Sequence, residues 1–415
     1  MMIYDVTVIG GGPAGLAAAV SASETAKVLL IEREAKLGGI LKQCIHDGFG
    51  LITFKEKLSG PEYSGRFIDM LRQTDVHVSL LTFVTSVEKR DDGLFRISLV
   101  NRDGVSEVLS KTIVLATGCR ERTAKQIFIQ GTRPAGVFTA GTAQHFVNLS
   151  GQMPTRKCVI LGSGDIGLIM ARRLTLEGAE VEGVYEVKSS PSGLTRNIHQ
   201  CLNDFNIPLH LSHTVTRLFG ERRLEGVEVA RVDDKMKVIK GTERYIPCDA
   251  LILSVGLIPE NELAETLGVS MDGRTKGPAV DQTFMTDVDG VFCTGNALHV
   301  NDLVDYVTEC AVYTGKNSAN YCKTDRKNVI IKAGKEFLYL VPSRLDLSKN
   351  IADTVVYFRA AADMNNATLK LKIDGREVLT KKYPFLRPPE MERLNIDFSA
   401  YAPGEKSEIE FSIEV

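Results

Sequence analysis

Apolar residues run almost without a break from Asp5 to Ile9, then give way to Gly10-Gly11-Gly12 and to a stretch of small residues from Ala14 to Ser23. A short continuous apolar run predicts a strand buried on both faces, and the small-residue stretch predicts a helix packed close against it. Val28 to Ile31 is a second apolar strand, closed by Glu32, so the chain opens as a strand, helix, strand unit of a parallel sheet. The same order returns later. Cys158 to Leu161 predicts a strand, Gly162 to Gly167 a glycine turn, Ile166 to Leu176 a helix, and Val181 to Tyr185 a second strand ended by Glu186.

Each unit is followed by an antiparallel stretch and a further buried strand. Phe95, Ile97 and Leu99, then Val105 and Val108, alternate with polar residues and predict a β-meander between Val76 and Leu115, leading into a strand from Thr112 to Thr117. Glu225 to Val238 similarly precedes Ala250 to Val255, which stops at Gly256. After Tyr321 the texture changes: Leu369, Leu371 and Ile373 alternate with lysines, Asp374-Gly375 predicts a hairpin turn, and Ile409, Phe411, Ile413 and Val415 alternate again. Residues 328–415 therefore read as a separate β-sandwich-like module.

Composition narrows the classes of function. At 415 residues the length suggests about three domains. Fifty Lys and Arg against 52 Asp and Glu leave a net charge of -2, so no global field favours nucleic acid or an anionic membrane. No apolar run approaches the ~18 residues of a transmembrane helix. The start, Met1 to Asp5, leads straight into the first strand with no export-signal pattern, and a cytoplasmic location is expected. The eight cysteines are scattered singly, without C-x-x-C or a histidine at ligand spacing, so no metal site is expected. Cys158 and Cys293 read as small core residues.

The glycine turns carry the chemistry. Gly10-Gly11-Gly12-Pro13-Ala14-Gly15 is a G-x-G-x-x-G between strand and helix. Gly10 permits the tight turn, Gly12 lets a pyrophosphate approach the backbone, Gly15 lets helix pack on strand, and the helix start at Pro13-Ala14-Gly15 offers an anion the N–H groups that follow the proline. Glu32 stands where a carboxylate accepts ribose hydroxyls. Gly162-Ser163-Gly164-Asp165-Ile166-Gly167 with Glu186 repeats the arrangement, so two dinucleotides are implied. A carboxylate there bonds a free 2′-hydroxyl and repels a 2′-phosphate, which favours NADH over NADPH. Arg172, Arg173 and Lys188 weigh modestly the other way and read as solvated side chains.

Two further segments resemble the signatures of two-dinucleotide-binding flavoproteins: Leu115-Ala116-Thr117-Gly118, and Thr286 to Asn296 with Gly290-Val291-Phe292 and Gly295-Asn296. The order of these motifs is similar to glutathione reductase-like enzymes, which implies FAD on the first loop and NAD(H) on the second. Where that family carries aspartate this chain has Asn296, which keeps a carbonyl oxygen without the charge. Narrower likeness, through Gly38 to Gly50, Gly60 to Tyr63 and Gly295 to Val307, is to accessory flavoproteins of anaerobic glycerol-3-phosphate dehydrogenase. Gly118 to Arg122 and Pro134 to Gly141 resemble α-type subunits of sarcosine oxidase, opine oxidase and hydrogen cyanide synthase.

The redox-active cysteine pairs of thioredoxin and lipoamide reductases are missing, which disfavours direct disulfide reduction. Cys44 falls near where the lipoamide-type pair would lie, with His46 close by, and reads equally as a thiolate beside the flavin or as an inert packed thiol. His46 and His299 are the imidazoles nearest the flavin motifs, candidates for a proton shuttle or for plain structural roles. Asp302 and Asp305 open the last helix, whose N-terminus is expected to face the flavin pyrimidine; helix capping would equally account for them.

The sequence thus predicts an α/β fold of two Rossmann-like domains plus an all-β module. The FAD domain spans 1–119 and 261–327, with an NAD domain, 120–260, inserted in it, and the module takes 328–415. The expected FAD residues are Gly10, Gly12, Pro13, Ala14, Gly15, Glu32, Gly39, Ala116, Thr117, Gly118, Gly295 and Asn296. Those for NAD are Gly162, Gly164, Asp165, Ile166, Gly167, Glu186 and Gly256. The expected activity passes hydride between NAD(H) and FAD, with a small-molecule or protein electron acceptor; the alternative is an electron-relay subunit of a dehydrogenase complex. The β module is expected to be dispensable for FAD and to bury a homo- or hetero-oligomeric interface, the other reading being an intramolecular brace.

Overall fold

The apolar run at the start of the chain forms the strand Ile3–Ile9, in which Val6, Thr7 and Val8 are fully buried. The computed structural model, which describes residues 2–415, pairs it in parallel with Val28–Ile31 on one side and with Gly104–Leu115 on the other. His77–Ser79 extends the sheet, Val291–Cys293 joins Gly104–Leu115 in parallel, and the antiparallel strands Phe95–Asn101 and Phe83–Lys89 complete it. Register sets Ile31, Ile9, Leu115 and Cys293 abreast, so four parallel strands end on one line. Ligands of open parallel sheets bind at such carboxyl ends.

This sheet belongs to a unit that runs to Cys119 and resumes at Pro259 through Val415; Arg120–Ile258 is the second unit. In the second, five parallel strands run in the order Val137–Thr139, Ala250–Leu253, Lys157–Leu161, Glu180–Glu186, Leu209–Leu211. A smaller sheet containing His213–Phe219 and Gly226–Arg231 shares a core with it, Val215 and Val227 meeting Leu161 and Tyr185.

The alternation after Tyr321 resolves into a five-stranded and a three-stranded sheet. Leu369, Leu371, Ile373, Ile409, Phe411 and Ile413 fill the core between them. Asp374 and Gly375 both take positive φ, 51° and 75°, as a two-residue hairpin turn of matching twist requires. Two alternating positions behave otherwise: Val105, at the open end of its ribbon beside the turn before Gly104, and Val415 are both exposed.

The module is not separate. Every residue of the strand Thr354–Ala360 is buried. Val356 and Phe358 face the sandwich core, while Val355 and Tyr357 join Tyr339, Val341 and Met391 in the same core as Ile9, Leu115 and Cys293. A strand covered on both faces reads as a continuous apolar run, and Val355-Val356-Tyr357-Phe358 carries that signal.

Candidate functional site

Gly10 turns with φ +109°, and a Cβ there would stand 2.3 Å from the Ala116 carbonyl oxygen. Gly15, on the helix Pro13–Ala22, would place a Cβ 1.7 Å from the Gly10 oxygen, so only glycine lets this helix start against its strand. Gly12 is different. A Cβ on it would meet nothing nearer than the Gly39 Cα at 3.8 Å, which leaves an open backbone cradle roofed by Gly39. No side chain caps the helix, and the proline at its first position has no N–H, so the N–H groups of Ala14 and Gly15 face the cradle. Glu32 is buried; its Oε2 accepts the Gly11 N–H at 2.6 Å and its Oε1 the Glu34 N–H at 2.8 Å.

The second unit reproduces this bond for bond. Gly162 turns with φ +99° against the Ser254 oxygen, Gly164 opens the uncapped helix Asp165–Leu176, and a Gly167 Cβ would stand 2.6 Å from the Gly162 oxygen. Glu186, also buried, accepts the Ser163 N–H at 2.9 Å and hydroxyl at 2.6 Å on Oε2, and the Lys188 N–H at 3.1 Å on Oε1. In both loops, then, the middle residue of G-x-G ties to the carboxylate ending the second strand. The segment after that carboxylate returns over the loop in both, as Gly38-Gly39 in one and Ser192-Gly193 in the other. The Asp165 side chain serves that return, accepting from the Leu194 N–H and the Asn197 amide, so only its backbone faces a ligand. Gly256, φ +101°, follows Ala250–Leu253 as Gly118, φ +75°, follows Gly104–Leu115.

At the strand ends of the first unit, Thr294 N–H donates to the Leu115 oxygen, and a Cβ on Gly295 would come within 2.7 Å of the Ala14 Cβ, so this segment passes beside the first helix N-terminus. The Thr117 hydroxyl is fixed on the Glu260 carbonyl at 2.6 Å. Asn296 Oδ1 accepts the Asn301 backbone and side-chain N–H groups at 3.0 and 3.3 Å, so the oxygen expected to meet a ribityl hydroxyl is already engaged. The helix Val304–Ala319 is likewise uncapped, with the apolar Leu303 at its cap position; Asp302 pairs with Arg359 and Asp305 accepts the Thr53 N–H at 2.8 Å. An open glycine cradle, two uncapped helix N-termini and a buried carboxylate are what a dinucleotide with a pyrophosphate and a ribose diol requires. These residues fit FAD.

Cys44 follows the 3-10 turn Gly39–Gln43, its Sγ approaches the Ile40 oxygen at 3.4 Å, and a Cβ on Gly60 would be 2.8 Å from its own Cβ. Burial pushes this thiol up to about 12, opposite to the lowered value a nucleophilic or charge-transfer thiolate needs. Of the two readings, burial favours the packed thiol. The His46 ring packs at a tilt against Phe49, centroids 5.0 Å apart, and lies 3.4 Å from the Asp47 oxygen. His299 is completely buried between Tyr339 and Tyr357, and burial, helped by the Arg359 charge, lowers it to about 3. It is neutral at physiological pH.

Residues that local reading missed lie in the β module. Arg359 and Tyr339 bond to the loop after Asn296, and the Tyr357 ring packs on its His299, all from strands far along the chain. No motif marks them; the one available signal was the apolar run around Tyr357.

Two glycine-loop units of this geometry, with a flavin-type segment returning beside the first, define the two-dinucleotide-binding flavoprotein class. The pyridine nucleotide-disulphide oxidoreductase family model matches residues 4–314, and the chain belongs to that family, whose members use FAD and NAD(P)H. It is 26% identical to an opine oxidase subunit of Agrobacterium tumefaciens (strain Ach5) over 71% of this chain and 61% of that one, so it spans about three fifths of that relative. It is 26% identical to ferredoxin–NADP reductase of Leuconostoc citreum (strain KM20), over 74% of this chain and 87% of the other. Among solved structures, thioredoxin reductase of T. acidophilum shares the fold with a TM-score of 0.61 at 21% identity, covering 77% of this chain and 98% of its own. Among the described residues no helix is long and apolar enough to cross a membrane.

Proposed function

We propose that the chain oxidises NADH at the Glu186 unit, holds FAD on the Glu32 unit, and passes the electrons to a second acceptor. The observation that carries this is the repeated carboxylate-to-loop bonding, Gly11 to Glu32 and Ser163 to Glu186, in two units of one chain. FAD, when bound, accepts the hydride of the nicotinamide, two electrons with one proton, and returns both electrons to the acceptor. The protein's part is binding and orientation. Residues 10–15, Glu32, Gly39, residues 116–118 and Gly295-Asn296 hold the flavin nucleotide; residues 162–167, Glu186 and Gly256 hold NADH. Glu186 favours a free 2′-hydroxyl over a 2′-phosphate, since its buried charge is met by backbone and Ser163 donors and, among the described residues, by no cationic side chain at hydrogen-bond distance.

The likeness to an opine oxidase subunit supports a second reading, in which the chain relays electrons inside a dehydrogenase complex. Acid precipitation of purified protein should release one FAD, and NADH should bleach the bound flavin anaerobically. Turnover with dyes or quinones by the isolated chain supports the autonomous enzyme; flavin reduction without turnover until a co-purifying polypeptide is added supports the relay. Colourless protein, or FMN in the supernatant, overturns both.

A further inference from the structure

Between Asn296 and the helix Val304–Ala319 the chain forms a short loop that the β module grips from outside. His299 is enclosed by Tyr339 and Tyr357 at 5.4 and 5.5 Å, and the Tyr339 hydroxyl donates to the Val300 oxygen at 3.2 Å. Arg359, itself buried, is fixed on the module side by the Pro388 and Pro389 carbonyls at 2.9 and 2.5 Å. On the loop side its guanidinium pairs with the Asp302 carboxylate and reaches the Val300 oxygen at 3.4 Å. The second Asp302 oxygen accepts the Met391 N–H at 2.5 Å. One residue earlier, Asn301 N–H holds Asn296 Oδ1 at 3.0 Å. A line of direct bonds and adjacent residues therefore runs from the module to the flavin segment.

Asp302 stands immediately before the helix cap position, where a carboxylate is attracted by free N–H groups and the positive end of the helix dipole. It does not cap. Arg359 and Met391 hold it toward the module instead.

We propose that Arg359 is a positioning residue for the flavin: it keeps the Asp302 carboxylate off the N-terminus of the helix Val304–Ala319 and, through Asn301, fixes Asn296. This rests on the FAD reading above. With Arg359 removed, Asp302 loses this cation while the Met391 N–H remains, its carboxylate is drawn toward the N–H groups that would otherwise favour negative charge on reduced FAD, and the flavin segment loses part of its outer support.

The test uses full-length protein, with FAD titrated into apoprotein and the two-electron midpoint potential measured against reference dyes. Arg359→Met should weaken FAD about tenfold. It should also lower the potential by about 30 mV, the equivalent of a tenfold change for two electrons. Arg359→Met with Asp302→Asn removes the released charge; the potential should return to the wild-type value while FAD binding stays weak. Arg393→Met breaks a different module contact to the same helix, the Arg393 to Glu309 pair at 2.6 and 3.0 Å, and should lower stability without moving the potential. Wild-type affinity and potential in Arg359→Met overturn the proposal, as does an equal shift in Arg393→Met, or a double variant that keeps the lowered potential. Should Arg359→Met not fold, the double variant decides alone, and wild-type FAD affinity there overturns it. A wild-type chain that takes up no FAD removes the underlying reading, a result distinct from all of these.

Discussion

Replacing Glu186 by glutamine tests the nucleotide choice with little change of shape. The carboxylate accepts three donors, from Ser163 N–H, Ser163 hydroxyl and Lys188 N–H, at 2.9, 2.6 and 3.1 Å. Its charge opposes a 2′-phosphate by at most about 4 kcal/mol per unit charge at ~4 Å and an effective dielectric of ~20. Partial solvation of a bound nucleotide reduces this, and a wild-type preference for NADH of about 1–3 kcal/mol is expected. Glu186→Gln keeps an oxygen for Ser163 but turns an amide N–H₂ toward the Lys188 N–H, a local cost on the order of 1 kcal/mol. The variant should bind NADH more weakly, and the ratio of kcat/KM for NADH over NADPH should fall roughly tenfold. Stopped-flow reduction of the bound flavin by each nucleotide reads this directly. Equal rates with both nucleotides in the wild type, or an unchanged ratio in the glutamine variant, refute the reasoning.

Gly15→Ala should yield colourless protein, since its Cβ would lie 1.7 Å from the Gly10 oxygen and the helix must retreat from the cradle; flavin absorbance after purification checks it. Cys44→Ala should leave turnover and the flavin spectrum unchanged, and iodoacetamide should not label Cys44 at neutral pH, because burial holds the thiol up to about 12. The unfolded chain ionises this thiol near its ordinary value of 9.0 while the folded one does not, so Cys44 should destabilise the fold only as pH rises from about 9 to about 12. His299, lowered from 6.5 to about 3, is the reverse case: the unfolded chain binds the proton first, so stability should fall as pH drops from about 6.5 toward 3. The full loss is on the order of 4–5 kcal/mol, and His299→Phe should flatten that limb in urea melts taken at each pH.

Much of the fold was legible in the sequence because its signals are local. A strand buried on both faces must be continuously apolar, so Val28–Ile31 and Ala250–Leu253 announce themselves. A tight turn before a helix must be glycine, so Gly10, Gly15, Gly162 and Gly167 mark both loops, and a carboxylate at the next strand end completes each mark. Such features depend on backbone geometry within one strand, turn and helix. The tertiary structure alone decided what depends on neighbours distant in the chain. Cys44 reads equally as a thiolate or as an inert thiol in one dimension; what favours the packed thiol, burial against Gly60, comes from residues outside its own turn. Asp302 and Asp305 have the spacing of helix caps, yet partners on Arg359 and Thr53 take both carboxylates elsewhere. The C-terminal strands looked like an appendage because alternation reveals only one buried face. Tyr357 and Val355, turned the other way, share the core of the first sheet, and no local pattern says which partner covers a second apolar face.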